Sequence, residues 1–314
     1  MLENIAPLGN ILVTGATGFI GGRLSADCRA LVRRARHDND VVGNLLDFKS
    51  LQNACKGVDT IYHCAGYAHA FGGADPSVYR RVNFEGTCNL LSASGQAGVK
   101  RFVFLSSVKA VTGAAHHCLD ETASGAPMTA YGQSKREAEL AVLEAGYKYG
   151  MHVVNLRLAM VYGRGGRGNL ERMAKAIRAG WFPPLPETQN RRSVVHISDV
   201  TAAIRLVAND PRAAGQTFIV ADQNLYSGKQ IYDAIRVALN LSKVSWALPE
   251  PFYRTIGKLG DCAESLTKRP SPVNSALIER LLGSECYSAA LIERALGWRA
   301  KMLLPDGLCE MINP

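Results

Sequence analysis

The sequence has no stretch approaching the ~18 uninterrupted apolar residues that a membrane-spanning helix needs. Residues Met1–Asn10 lack the basic start and long apolar run of a signal peptide, so a cytosolic location and no membrane partner are expected. No Cys-x-x-Cys pair and no Cys/His cluster at zinc-like spacing occurs. The cysteines, at 28, 55, 64, 88, 118, 262, 286 and 309, are scattered and read as buried thiols. His116 and His117 are adjacent, so their rings point apart, and no third ligand is near; no metal is expected. There is no run of five basic residues although the net charge is +9, which argues against a nucleic-acid partner. The cations gather instead in two short groups, Arg29, Arg33, Arg34 and Arg36, then Arg164, Arg167, Arg191 and Arg192. Two groups suit two separate phosphate-bearing ligands. Internal repeats and low-complexity tracts are absent.

What remains is a 314-residue chain, 47% apolar and 20% charged, long enough for one or two cores. Asn10–Thr14, Arg29–Arg33, Thr60–Cys64, Arg101–Ser106 and His152–Leu158 read as buried strands. Ser50–Cys55, Val78–Ala97 and Ala130–Tyr149 carry helical spacing between them. This alternation predicts an α/β fold, a doubly wound parallel sheet with helices on both faces. After about Val161 the texture changes: Gly163–Gly168 is rich in glycine and arginine, Trp181–Pro186 cannot be regular, and Ser193–His196 is a short strand-like return. From Tyr226 the chain is mostly helical, with Ser227 as a cap. We expect a dinucleotide-binding domain at 1–162 plus about 193–222. A smaller, mostly helical substrate domain is expected at about 163–192 plus 223–314.

The first strand runs into GATGFIGG, which places Gly15, Gly18 and Gly21 three apart with Thr17, Phe19 and Ile20 between them, and a helical stretch follows. Backbone that must approach a pyrophosphate cannot carry a Cβ there, and a helix start offers free N–H groups. A dinucleotide site follows. The helix after the loop is short, since the next strand begins about eight residues past Gly21, whereas a crossover usually takes ≥ 10–12. The second strand ends in Arg33–Arg34 with no acid before Asp38; the cofactor is NADP or NAD, and the arginines favour NADP through its 2′-phosphate. Asp47, next to Leu46, is placed to accept from the adenine amino group and also to cap a helix.

Tyr131 and Lys135 lie four apart on a predicted helix and share one face. A free tyrosine titrates near ~10, and a neighbouring ammonium and a positive nicotinamide ring both favour phenolate, so Lys135 is expected to make Tyr131 a usable proton acceptor or donor. The strand from Arg101 ends in Ser106–Ser107, at the strand tip that faces the ligand crevice of a parallel sheet. Ser107 is the candidate to bond the substrate oxygen that Tyr131 deprotonates, with Ser106 its structural neighbour. Hydride transfer at a carbinol or carbonyl carbon is the reaction these groups suit.

These residues resemble the extended short-chain dehydrogenase/reductase family, in its NAD-dependent epimerase/dehydratase branch. GATGFIGG, Gly57–Gly66, Arg80–Leu91, Phe102–Val108, YGQSK and Leu156–Gly163 occur in the family's order. The resemblance implies Ser107, Tyr131 and Lys135 as the catalytic triad and Ala65, Gly66 and Asn83 as cofactor-site residues. It also implies a homodimer through helices Val78–Ala97 and Ala130–Tyr149. Departures are the short first helix and Leu158, where many relatives have proline. Asn169–Leu170 resembles an element that contacts a nucleotide-sugar diphosphate, and Arg192 an arginine that grips it. Ser106–Gly113, WFPPLPE, NRRS and RLLGS are most similar to a bacterial subgroup acting at C4 of UDP-linked N-acetylamino sugars, in which His69 and Lys109 face the sugar.

The leading expectation is therefore a UDP-hexose 4-epimerase or 4-ketoreductase. A 4,6-dehydratase is disfavoured because Val108–Lys109 stands where such relatives carry Asp-Glu. Alternatives are an NADPH-dependent reductase of a non-nucleotide carbonyl, which the arginine pair fits, and a non-catalytic NADP- or RNA-binding member of the fold. Phe252, Ile256, Leu259 and Leu266 recur at helical spacing, which suits either a core stripe or a membrane- or partner-facing one.

Overall fold

The computed structural model describes residues 9–26, 28–68, 75–112, 118–166, 168–267, 271 and 273–313. His69, His116, His117 and Arg167 lie outside them. The chain runs β1 (Ile11–Thr14), α1 (Gly21–Leu24), β2 (Arg29–Val32), β3 (Asp40–Val42), α2 (Phe48–Ala54), β4 (Thr60–His63) and α3 (Pro76–Tyr79). A π turn, Arg80–Glu85, joins α3 to α4 (Gly86–Ala97), then come β5 (Arg101–Ser107), α5 (Ala130–Tyr149), β6 (His152–Leu158), β7 (Met160–Tyr162) and α6 (Asn169–Arg178). The remainder is β8 (Val194–His196), α7 (Ile197–Asn209), β9 (Gln216–Val220), α8 (Gly228–Ala238), α9 (Glu250–Thr267), α10 (Ser275–Leu282), α11 (Ala290–Leu296) and α12 (Leu304–Ile312).

Seven strands form one sheet in the order β3-β2-β1-β4-β5-β6-β9, every neighbouring pair parallel. This is a Rossmann-type sheet, doubly wound as the alternation predicts. Because side chains alternate along a strand, Leu12, Ile61, Phe102 and Phe104 face one helical layer, with Leu51, Leu90 and Val142. Val13, Tyr62, Val103 and Leu105 face the other, with Ile204, Ile292 and Trp298. A third cluster gathers Tyr162, Leu170, Ile177, Leu185, Val194, Ile235, Tyr253, Ile278 and Leu308 around the short β7–β8 pair.

The chain reverses direction across the sheet between β1 and β4, and a parallel sheet opens a crevice at the strand tips where that happens. Gly15 and Ala65, the residues past β1 and β4, therefore meet there. The crossover from β1 to β2 contains only the four-residue α1, the short helix foreseen in the sequence. Among the described residues, no helix is long and apolar enough to cross a membrane.

The uniform reading of the cysteines needs correction. Cys118 and Cys286, 168 residues apart, are joined as a disulfide with their Cα atoms 4.5 Å apart. Of the rest only Cys55 is buried, while Cys262 and Cys309 are exposed. The segment 283–288 runs beside both Arg191–Ser193 and Leu119, and this brings the two sulfurs together. The stripe on α9 is likewise no core: Phe252 is 46%, Leu259 64% and Leu266 85% exposed.

Candidate active site

The glycine loop closes tightly on the tip of β4. Gly15 has φ +68°, and a Cβ there would lie 2.7 Å from the Ala65 nitrogen; one on Gly21 would lie 2.3 Å from the Gly15 carbonyl. Only glycine fits at either position. Thr17 and Gly18 are exposed, and Phe19 and Ile20 are half-buried. These observations fit a loop that receives a pyrophosphate. Arg33 and Arg34 follow β2 and are both exposed. Asp47 caps α2, its Oδ1 accepting from the Lys49 and Ser50 amides at 3.1 and 3.3 Å, and Leu46 beside it is 41% exposed.

Beneath the crevice lies a buried relay that the sequence reading did not identify. The Ala65 amide donates to Thr14 Oγ1 (3.2 Å), which leaves the Thr14 hydroxyl to donate to His63 Nδ1 (2.7 Å). On the other side of the ring, Nε2 pairs with Thr87 Oγ1 (2.9 Å), and the Thr87 hydroxyl donates to the Asn83 carbonyl (2.6 Å). This direction of donation assigns the proton to Nε2 of a neutral imidazole. Burial, with Lys135 adding to it, pushes His63 down to about 3. The relay thus ties Ala65 to Asn83.

Asn83 sits in the π turn and is 2% exposed. It accepts from the Tyr67 amide (2.7 Å) and donates to the Tyr67 carbonyl and to Ser134 Oγ, both at 3.1 Å. A Cβ on Gly66 would stand 3.3 Å from both Asn83 Oδ1 and Lys135 Nζ, so the glycine keeps these polar atoms uncovered.

The first turn of α5 is pressed against the tip of β5. Thr129 caps it through the Gly132 amide (3.1 Å), and a Cβ on Gly132 would lie 2.2 Å from the Lys109 carbonyl. That close approach brings the Tyr131 phenol beside the Ser107 hydroxyl. Ser107 also accepts from the Lys109 amide at 3.2 Å, while Ser106 points away and donates to buried Glu139 at 2.6 Å. The Tyr131 ring meets Tyr79 edge-on at 6.0 Å, and Tyr79 meets Tyr67 at 5.3 Å, so two further tyrosines wall the phenol.

Lys135 lies one turn on, donating to the Leu105 carbonyl (2.7 Å) above the Phe104 ring. Burial brings its ammonium down to about 8, against the opposing pull of Cys64 and Glu139. The expectation that this lysine acidifies the phenol is corrected here. Burial raises Tyr131 above its ordinary value, the Ser107 hydroxyl opposes the rise and Tyr79 adds to it. Burial thus favours the protonated phenol.

The substrate-side candidates divide. Lys109 and Arg192 converge on Glu285, at 2.6 Å from its Oε1 and 3.8 Å from its Oε2. Arg192 is buried and also donates to the Gly283 carbonyl (3.0 Å). Glu285 was not singled out in the sequence, where nothing local marks it. Asn169 is exposed at the start of α6. Leu170 needs correction, for its side chain is 3% exposed in the third core cluster and only its backbone is available to a ligand. His69 lies outside the described residues.

Residues 11–221 match the family model described as NAD dependent epimerase/dehydratase family. The chain is 32% identical over 320 residues to a UDP-glucose 4-epimerase from Vibrio cholerae, covering 95% of this chain and 93% of that one. It is 27% identical over 311 residues to an N-acetyl-α-D-glucosaminyl-diphospho-ditrans,octacis-undecaprenol 4-epimerase from Escherichia coli O157:H7, again covering 95% and 93%. Among solved structures, UDP-N-acetylglucosamine 4-epimerase from Bacillus cereus superimposes with a TM-score of 0.76 at 18% identity, covering 96% of this chain and 97% of that one.

Proposed function

Because the chain belongs to the NAD dependent epimerase/dehydratase family, enzymes of the extended short-chain dehydrogenase/reductase type, we propose that it acts at C4 of a UDP-hexose, as a 4-epimerase or a 4-ketoreductase. The observation that carries this reading is the Tyr131 phenol, set beside Ser107 at a strand tip and walled by Tyr79, with Lys135 one helical turn away. A phenol kept protonated by burial gives its proton to the oxygen of a C4 ketone as that carbon is reduced, while the Ser107 hydroxyl holds the same oxygen. In the oxidising direction Tyr131 must first stand as the phenolate, which then takes the C4 hydroxyl proton. An epimerase needs both directions, and a ketoreductase one.

When bound, a nicotinamide cofactor supplies or removes the hydride. Gly15, Thr17, Gly18, Phe19, Ile20 and Gly21 are proposed to hold its pyrophosphate, and Leu46 and Asp47 its adenine. Ala65, Gly66, Asn83, Tyr131 and Lys135 would hold its nicotinamide half. Exposed Arg33 and Arg34 suit a 2′-phosphate, so NADP is the proposed form. On the substrate side, Arg192 is proposed to grip the diphosphate and Lys109 to face the sugar, each drawn from its present pairing with Glu285. The segments at about 163–192 and 223–314 are proposed as the substrate domain. The paired helices α4 and α5 are the proposed dimer contact, where Leu140 and Tyr147 are 53% and 95% exposed.

The test is to denature the purified protein, measure released nicotinamide cofactor, and assay UDP-glucose, UDP-N-acetylglucosamine and a UDP-4-keto-6-deoxy sugar. Retained cofactor without net consumption identifies an epimerase, and stoichiometric consumption a reductase. Tyr131→Phe should lower either rate by about 10²–10⁴. A variant within about twofold of the parent removes Tyr131 from the chemistry.

A further inference from the structure

We propose that Glu285 is a built-in counter-ion of the diphosphate site, a carboxylate that an incoming diphosphate must displace and that thereby sets how tightly the substrate is held. This rests on the proposed function, in which Arg192 grips that diphosphate. Lys109 Nζ stands 2.6 Å from one oxygen of Glu285 and Arg192 Nη2 stands 3.8 Å from the other, so a single carboxylate occupies the place between the two substrate-side cations. Among the described residues no other acid pairs with either of them. Arg192 is buried, and a guanidinium that deep is costly to leave without an opposite charge. Its other side-chain contact is with an uncharged group, the Gly283 carbonyl at 3.0 Å. Glu285 therefore supplies the compensating charge, and a diphosphate is a ligand able to take over that role.

The carboxylate is mounted on backbone that cannot follow it. The Glu285 amide donates to the Arg191 carbonyl (2.8 Å), and the Glu285 carbonyl accepts from the Ser193 amide (2.9 Å). On the other edge of the same segment the Leu119 amide donates to the Cys286 carbonyl (2.9 Å) and the Ser288 amide to the Leu119 carbonyl (2.8 Å). The Tyr287 amide adds a bond to Ser193 Oγ (2.9 Å), and the Cys118–Cys286 disulfide fastens the segment covalently. Glu285 yields its place by rotating its side chain alone. Arg192 and its competitor share one backbone ladder, so a displaced carboxylate stays within reach, at the high effective concentration of an intramolecular partner.

This arrangement works against binding twice over. The diphosphate must part Arg192 from Glu285, and once seated it lies beside a carboxylate of like charge. Glutamine has the shape of glutamate without the charge, so Glu285→Gln removes both costs and leaves the backbone bonds of the segment in place. The pyrophosphate of the coenzyme is proposed to bind a different set of residues, those of the glycine loop. Coenzyme affinity therefore tells a local effect from a general gain in positive charge.

The experiment is calorimetric titration of UDP into the full-length protein saturated with NADPH, and of NADPH into the protein alone. Glu285→Gln should bind UDP about tenfold more tightly than the parent, with NADPH affinity unchanged within about twofold. Glu285→Ala, which also removes the charge, should tighten UDP binding as well. Arg192→Gln should weaken UDP binding at least about tenfold, and Arg192→Lys less severely. UDP binding that is unchanged or weaker in both Glu285 variants overturns the proposal and leaves the functional reading standing. Equal tightening of NADPH overturns it too, as an effect of net charge alone. A parent that does not bind UDP, or Arg192 variants that bind it as the parent does, removes the diphosphate grip itself and the proposal with it.

Discussion

Lys135 is buried and Tyr131, one helical turn before it, is half-buried, and loss of water acts on their charged forms in opposite senses along the pH scale. The lysine falls from its ordinary 10.5 to about 8, and the tyrosine rises. Between pH 8 and 10.5 the unfolded chain therefore keeps a lysine proton that the folded chain has lost. The burial penalty of this residue is full below pH 8 and is relieved towards 10.5, so its contribution to stability improves with rising pH. Activity should move the other way, declining through about pH 8 as the ammonium is lost, and Lys135→Arg should shift that decline to higher pH. A pH-rate profile flat from 7 to 9 would contradict this assignment. On the cofactor side, Arg33→Ala/Arg34→Ala should raise KM for NADPH about tenfold with little change for NADH, as steady-state assays with each would reveal. The Tyr131–Lys135 pair was legible because four residues on a helix always share a face. The sign of the tyrosine shift was not, because it depends on how deeply α5 sits against β5, which Gly132 and the Lys109 carbonyl determine.

At the scale of elements, α5 is fastened to the sheet by a charged contact within its apolar packing. Glu139, fully buried, takes a bidentate contact from Arg157 of β6 at 2.9 and 2.8 Å, and also accepts from Ser106 of β5. Glu139→Leu strands a guanidinium that is 2% exposed, so urea denaturation should show a loss of about 3–5 kcal/mol. Adding Arg157→Leu should restore part of it. A loss under about 1 kcal/mol in the single variant would mean that the pair is dispensable. Glu139 looks like any surface acid in sequence, since its buried partners, Arg157 and Ser106, come from two other elements. Apolar strands buried on both faces were readable, but β3 is a three-residue strand at the sheet edge following exposed His37 and Asp38 and was passed over. The stretch 78–97, read as one helix, contains the π turn that buries Asn83 between Tyr67 and Ser134. A widened turn of this kind leaves no mark in hydrophobic spacing, because the apolar face continues on both sides of it.

For the whole molecule, the disulfide is the longest covalent constraint. It ties the segment at Cys118 to the one that carries Glu285, and so to Lys109 and Arg192. Thiol titration of denatured, unreduced protein should find six groups, and finding eight would remove the bond. Cys118→Ser should lower unfolding stability by about 2–4 kcal/mol, measured without reductant. No spacing rule foretells a pair 168 residues apart, and the same distance hid Glu285. Elsewhere the chain is economical between β1 and β2, where one helical turn stands in for a full crossover. A coenzyme seated on the glycine loop would have that single turn as its flank near the exposed arginines, with correspondingly few groups to detain it. A short dwell time, read as coenzyme lost on rapid gel filtration, would favour the ketoreductase over the epimerase, because only a reductase must exchange its coenzyme at every turnover.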